Sequence, residues 1–196
     1  MSNYALRVTK FKCGDESGVD WTGSDEPYWV FTSRDPNGSV VTSRSKKFGD
    51  VDSGETRSFP KEDNKNVVWP KVGATQGAPG PIALSIQLWE SDQGDRDAIA
   101  EKTRKAFDLG AQAPIVGEWI RRVPSIVQDK ISQFAGDDLM GSRTLLYSER
   151  RLQQRLPQVG STFVEKHHFG GNGGDLPWKV AGGPDYYLFI EVKRVS

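Results

Sequence analysis

The sequence predicts a mainly β protein, an antiparallel β-sandwich with an inserted α-helical segment, and three observations predict it. Apolar residues alternate with a period of two near both ends of the chain, at Tyr4, Leu6 and Val8 and again at Tyr186, Leu188, Ile190 and Val192. The same period runs through Ile82, Leu84, Ile86 and Leu88 in the middle. Between residues 93 and 136 the pattern turns helical, and strand periodicity then returns. Strands, one helical block and strands again fit a sandwich with an insertion better than an alternating α/β layer.

Each element has its own reason. The strand at Tyr4, Leu6 and Val8 leads into a glycine-rich acidic loop, "GDESGVDWTGSDEPYW". Tyr28, Val30 and Thr32 alternate beside Trp29 and Phe31 and mark a second strand of high β-propensity. The run "VGATQGAPGP" reads as a long loop before the strand "IALSIQLWE". In the helical block, Ile99, Ala106 and Phe107, then Val116, Trp119, Ile120 and Val123, recur at helical spacing. Asp95 or Asp97 caps the first helix, the stretch from Gly110 to Pro114 separates it from the next, and Pro124 breaks the block before a further helix at about Ser125. Strands follow over residues 143–147, 161–168 and 185–195, the last two joined by the loop "HHFGGNGGDLPWKVAGGP". All of this reads as one domain over residues 1–196, with the insertion at about 93–136 inside it.

Composition narrows the function. The chain has 196 residues, 36% hydrophobic and 27% charged, enough to bury a substantial core. Its 26 basic residues balance 26 acidic ones, so overall charge points away from nucleic acid. Neither a signal peptide nor a long apolar run is present, and the expectation is a soluble, cytoplasmic protein, with unconventional export left open. Cys13 is the single cysteine, which excludes an intramolecular disulfide and makes a thiolate metal site implausible.

Acidic residues gather at strand ends. Asp15, Glu16, Asp20, Asp25 and Glu26 lie in the first loop, Glu90, Asp92 and Asp95 follow the central strand, and Asp137 and Asp138 follow the helical block. Glu90 and Asp92 keep the parity of the strand's apolar residues and lie just past the last of them. Carboxylates about 4 Å apart repel by roughly 4 kcal/mol at an effective dielectric of ~20, which a bound cation relieves. Calcium takes oxygen ligands in flexible geometry, and loops rich in Asp and Gly suit it. Asp, Gly and Ser also dominate plain turns, which is the simpler reading of any one loop and of Asp50 and Asp52 in "FGDVDSGE".

Taken together, these segments resemble a C2 domain, a calcium-binding β-sandwich. Ser24, Asp25, Glu26, Pro27 and Tyr28 resemble the family's Ser-Asp-Pro-Tyr with one residue added. Glu90 and Asp92 resemble its acidic pair at a strand end, and Asp138, Leu139, Met140 and Gly141 the closing half of its third loop. The resemblance implies calcium as cofactor, held by Asp15, Asp20, Asp25, Glu90, Asp92 and Asp138, with Asp15 and Asp20 as alternatives for the earlier ligand. It implies a non-enzymatic module that binds anionic phospholipid or a protein partner. The departures are Glu90 where the family has Asp, and about 40 residues in place of a short third loop.

Other readings stand beside this one. A metal-dependent hydrolase would use Glu90 and Asp92 as acid/base groups or metal ligands, but no accompanying catalytic motif is found. A metal-free interaction sandwich, carbohydrate-binding or toxin-associated, would expose aromatics such as Trp21, Trp29 and Trp178. Trp119 reads as packing on the sandwich or, with Arg121 and Arg122, as a membrane-facing patch. Arg150, Arg151 and Arg155 read as a solvated helical turn, and His167 and His168 as strand neighbours that point to opposite faces.

Overall fold

The architecture comes from a computed structural model, which describes residues 2–16, 25–34, 38, 40–91, 95–110, 137–170 and 184–196. Ten strands are described: β1 (Asn3–Asp15), β2 (Pro27–Arg34), β3 (Val40–Arg44), β4 (Thr56–Ser58), β5 (Val67–Trp69), β6 (Ala78–Pro79), β7 (Ile82–Ser91), β8 (Asp137–Tyr147), β9 (Thr162–Gly170) and β10 (Asp185–Arg194). Two α-helices accompany them, α1 (Arg96–Gly110) and α2 (Glu149–Arg155). The first sheet runs β4-β1-β10-β9, with β5 and β6 also pairing β1, and the second runs β3-β2-β7-β8. Every pairing is antiparallel, as expected of a sandwich.

Alternation builds the core. Tyr4, Leu6 and Val8 of β1 point inward, a register shift between Val8 and Lys10 flips the parity, and Phe11 and Cys13 continue the buried face. Leu188, Ile190 and Val192 of β10 and Ile82, Leu84, Ile86 and Leu88 of β7 meet them from either side. Trp29 and Phe31 of β2 sit in this layer, with the Trp29 ring edge-on to Phe169 at 4.9 Å. Trp29 is therefore fully buried and is not an exposed binding aromatic.

Helix α1 adds a third layer. Strand β7 is buried on both faces, because Tyr28, Val30, Ala83 and Trp89 on the outer face of the second sheet pack with Ile99 and Phe107 of α1. Asp95 caps α1 by accepting from the Asp97 and Ala98 amides at 2.9 and 3.1 Å, and Asp97 instead pairs with Arg44 of β3 at 2.6 Å. The expected second and third helices, with Trp119, Arg121, Arg122 and Pro124, lie outside the described residues. No described helix is long and apolar enough to cross a membrane.

Two boundaries differ from expectation. Strand β8 begins at Asp137, not near 143, so Asp137 and Asp138 are strand residues and not a loop before one. The short strands β3 to β6 lie where the sequence shows no sustained alternation; each survives by pairing β1 or β2. Arg151 and Arg155 on α2 are not simply solvated: both reach Glu165 of β9, which also accepts from the Tyr147 hydroxyl at 3.0 Å.

Candidate functional site: the acidic rim

Strand registers bring the acidic segments to one end of the sandwich. In the first sheet Asp15 lies opposite Asp185, and Asp185 opposite Gly170. In the second, Pro27 lies opposite Glu90 and Glu90 opposite Asp138. The Tyr186 hydroxyl of the first sheet donates to Asp25 Oδ2 at 2.6 Å beside the second, so these ends form a single rim. The segments 16–26, 45–55, 92–136 and 171–184 all leave from it. Gly170, at φ 84°, makes the turn into the last, where a Cβ would collide with the Pro184 carbonyl.

Two of the rim carboxylates are held from below by tyrosines. Asp25 is 2% exposed, bridges Val51 through its backbone and accepts the Tyr186 hydroxyl. Asp137 is 3% exposed and accepts the Tyr28 hydroxyl at 2.9 Å. Burial first, and then the facing carboxylate, push both phenols well above their ordinary range, so they remain donors throughout physiological pH. Beneath them the buried Cys13 thiol is pushed up to about 11, mainly by burial, with Asp25, Glu16 and Asp15 adding to the rise. That thiol is neutral and inert at neutral pH.

The outer acids are tied segment to segment. Ser53 donates to Asp15 Oδ1 and to Glu16 Oε1, each at 3.4 Å, and accepts the Glu16 amide at 3.2 Å. Glu26 pairs with Lys47 at 2.6 Å. These contacts join both ends of segment 16–26 to segment 45–55, which carries Asp50 and Asp52. On the far side of the rim, Asp185 is paired with His168.

Of the six expected ligands, Asp15, Asp25, Glu90 and Asp138 lie on elements that end at this rim, with Glu90 and Asp138 directly paired in the backbone. Asp20 and Asp92 lie outside the described residues, as do Trp21 and Trp178. Among the described residues no group of three or more His, Cys, Asp and Glu side chains is placed to hold a metal ion. The donors at the rim are oxygens, the chemistry calcium requires, yet the described carboxylates engage tyrosine, serine, lysine and histidine partners. Sequence reasoning missed the two tyrosine hydroxyls and the hydrogen bond that Tyr28 makes to Asp137. Tyr28 directly follows "SDEP" and Tyr186 is the second residue of the last strand, and those positions were the available signal.

No family model matches the sequence, and no curated protein does. Among solved structures, the chain is similar to a C2 domain of plant extended synaptotagmin 1, at 8% identity and a TM-score of 0.45 over 98% of this chain and 94% of that one. It is similar to a further C2 domain, at 9% identity and a TM-score of 0.38 over 98% of this chain and 99% of that one. A human GIVD cytosolic phospholipase A2 structure aligns with all of this chain at 10% identity and a TM-score of 0.41, and the chain spans only 17% of its length. The fold is an antiparallel β-sandwich of two sheets, with an acidic rim where their strands end.

Proposed function

We propose that the chain is a calcium-binding C2-like module that engages a membrane surface or a protein partner in a calcium-dependent way through the acidic rim. The observation that carries this reading is the convergence of Asp15, Asp25, Glu90 and Asp138 on one end of the sandwich from segments up to 123 positions apart (138 minus 15). A fold that gathers carboxylates there without a cation accepts mutual repulsion. In this reading Asp15 or Asp20, with Asp25, Glu90, Asp92 and Asp138, hold the ion. Bound calcium supplies positive charge that bridges the loops to an anionic group such as a lipid phosphate. The hydroxyls of Tyr28 and Tyr186 hold Asp137 and Asp25 at the floor of the site.

Titration calorimetry with calcium, and magnesium as control, tests this. The parent protein should bind calcium, Asp92→Asn should bind it at least tenfold more weakly, about 1.4 kcal/mol, and Asp97→Asn should match the parent because Asp97 is committed to Arg44. Calcium at a hundred times its dissociation constant should also add about 2.7 kcal/mol to folding stability. Absence of calcium heat together with an unchanged melting temperature would refute the reading, and so would parental affinity in Asp92→Asn.

A further inference from the structure

The layer between α1 and the second sheet is bounded by two stripes of the same design, apolar at the ends and polar in the middle. On α1 the buried positions Ile99, Thr103 and Phe107 recur every fourth residue and so share one face. On β7 the positions that face away from the sandwich core are Ala83, Ser85, Gln87 and Trp89. The four ends, Ile99, Phe107, Ala83 and Trp89, belong to one apolar cluster with Tyr28 and Val30. The middles are enclosed in that same layer: Thr103, Ser85 and Gln87 are 0%, 2% and 1% exposed.

Partners do not match this burial. Among the described residues, the Thr103 hydroxyl, the Ser85 hydroxyl and the Gln87 amide nitrogen make no hydrogen bond. Their neighbours do: the Thr32 and Thr42 hydroxyls bond each other at 3.0 Å, and Arg44 pairs with Asp97. Polar groups buried this deeply are nearly always satisfied, because an unmade bond there costs the whole desolvation penalty. The orientation of Gln87 is fixed. Trp89 Nε1 donates to its Oε1 at 3.0 Å, which occupies the amide oxygen and leaves the nitrogen as a donor to the layer. Further neutral hydroxyls flank the patch, with Thr32 of β2 and Thr144 of β8 opposite Ser85, and Ser142 opposite Gln87. The Tyr28 and Trp89 rings, stacked at 6.5 Å, stand at one end of it.

The chemistry of these groups selects the ligand. All three are neutral, so none supplies the positive charge that recognises a carboxylate or phosphate. A hydrocarbon would leave all three unpaired, and together they present more donors than one water molecule accepts. A molecule with several hydroxyls accepts from the Gln87 amide, exchanges hydrogen bonds with Ser85 and Thr103, and lays its C–H surface on the apolar and aromatic ends of the stripes. Mostly apolar walls with a few placed polar groups are the ordinary make-up of a small-molecule site.

We infer that the layer between α1 and the second sheet is a binding site for a small neutral polyhydroxylated molecule, a polyol or monosaccharide, with Thr103, Ser85 and Gln87 as its hydrogen-bonding residues. The site uses none of the rim carboxylates and is independent of the calcium reading.

Calorimetric titration with glycerol, glucose and myo-inositol, in chelator, tests this. At least one of the three should bind the parent saturably, raise its melting temperature and slow hydrogen exchange of the amides of α1 and β7. Thr103→Val and Ser85→Ala each delete a hydroxyl and little volume, and each should weaken that binding at least tenfold. Without sugar, both variants should melt no lower than the parent, because neither hydroxyl has a protein partner to lose. Glucose 6-phosphate, which carries the charge the site does not pair, should bind no more tightly than glucose. The exchange pattern of the parent keeps the test decisive if a variant does not fold. Failure of all three probes to bind, parental affinity in both variants, a lower melting temperature of the sugar-free variants, protection confined to residues outside α1 and β7, or tighter binding of glucose 6-phosphate would each overturn the assignment.

Discussion

At the scale of single residues, the rim is organised by hydrogen bonds between phenols and carboxylates. A tyrosine hydroxyl that donates to a buried, ionised carboxylate makes a charge-assisted bond, stronger than one between neutral groups. Tyr186 is fully buried and Asp25 is 2% exposed, so water is in no position to replace the donor if it is lost. Tyr186→Phe keeps the ring and its contact with Phe11 but deletes that donor. Urea denaturation should show a loss of about 2 kcal/mol, within the range for hydrogen bonds to charged groups. A loss below about 0.5 kcal/mol would mean that Asp25 is satisfied from elsewhere, since surface-like substitutions fall in that range. Little of this was legible in the sequence. Alternation assigned Tyr28 and Tyr186 to strands, but period two says which face a side chain takes and not where its hydroxyl ends.

At the scale of elements, the edges of the two sheets meet along β8 and β9, and Glu165 is the joint. Its carboxylate takes the Tyr147 hydroxyl at 3.0 Å, Arg151 at 2.6 Å and Arg155, with His167 at 3.5 Å. Arg155 also lies over the Phe163 ring at 3.7 Å. Burial acts to raise the Glu165 carboxyl, but the tyrosine hydrogen bond and the arginines outweigh it and leave it below the ordinary glutamate range. Burial likewise pushes His167 below its ordinary value, against the opposing pull of Glu165. In both cases the folded state binds protons less readily than the unfolded chain. The stability they contribute is complete above the ordinary histidine value and falls as pH drops, first through the His167 window and then below the usual glutamate range. Glu165→Gln should therefore destabilise the protein by about 1–3 kcal/mol near neutral pH and flatten the acid limb of its stability curve. Parallel curves for variant and parent between pH 6 and pH 3, where the two groups depart from ordinary values of 6.5 and 4.5, would refute the coupling. The sequence showed α2 as an arginine-bearing turn. The partner that fixes those arginines lies 10 and 14 residues away on a strand, beyond helical side-chain spacing.

At the scale of the whole molecule, the long strands were legible because each has one face in a large apolar layer and period two records it; β3 to β6 were not, because segments of two to five residues are too short to show a period. Within the predicted helical block, α1 was legible as helix, and its docking only in part. Ile99 and Phe107 form an apolar stripe, and Tyr28, Val30 and Trp89 have the wrong parity for the sandwich core, but nothing in either pattern pairs the two sets. Once paired, they make α1 a third layer, and a consequence follows for cooperativity. A helix that covers Trp89 and Tyr28, the latter bonded to Asp137 across the rim, should not melt before the sheets do. The expected outcome is one thermal transition in which far-ultraviolet and near-ultraviolet circular dichroism coincide, as for a single cooperative domain. Phe107 is fully buried, so Phe107→Ala removes a large side chain from this layer and should cost about 3–5 kcal/mol. If α1 belongs to the cooperative unit, the variant shifts both signals together to lower temperature. Were the helical signal lost first while the tryptophan signal of the sandwich core held its parental midpoint, the insertion would be a separate folding unit and the single-domain reading of residues 1–196 would fail.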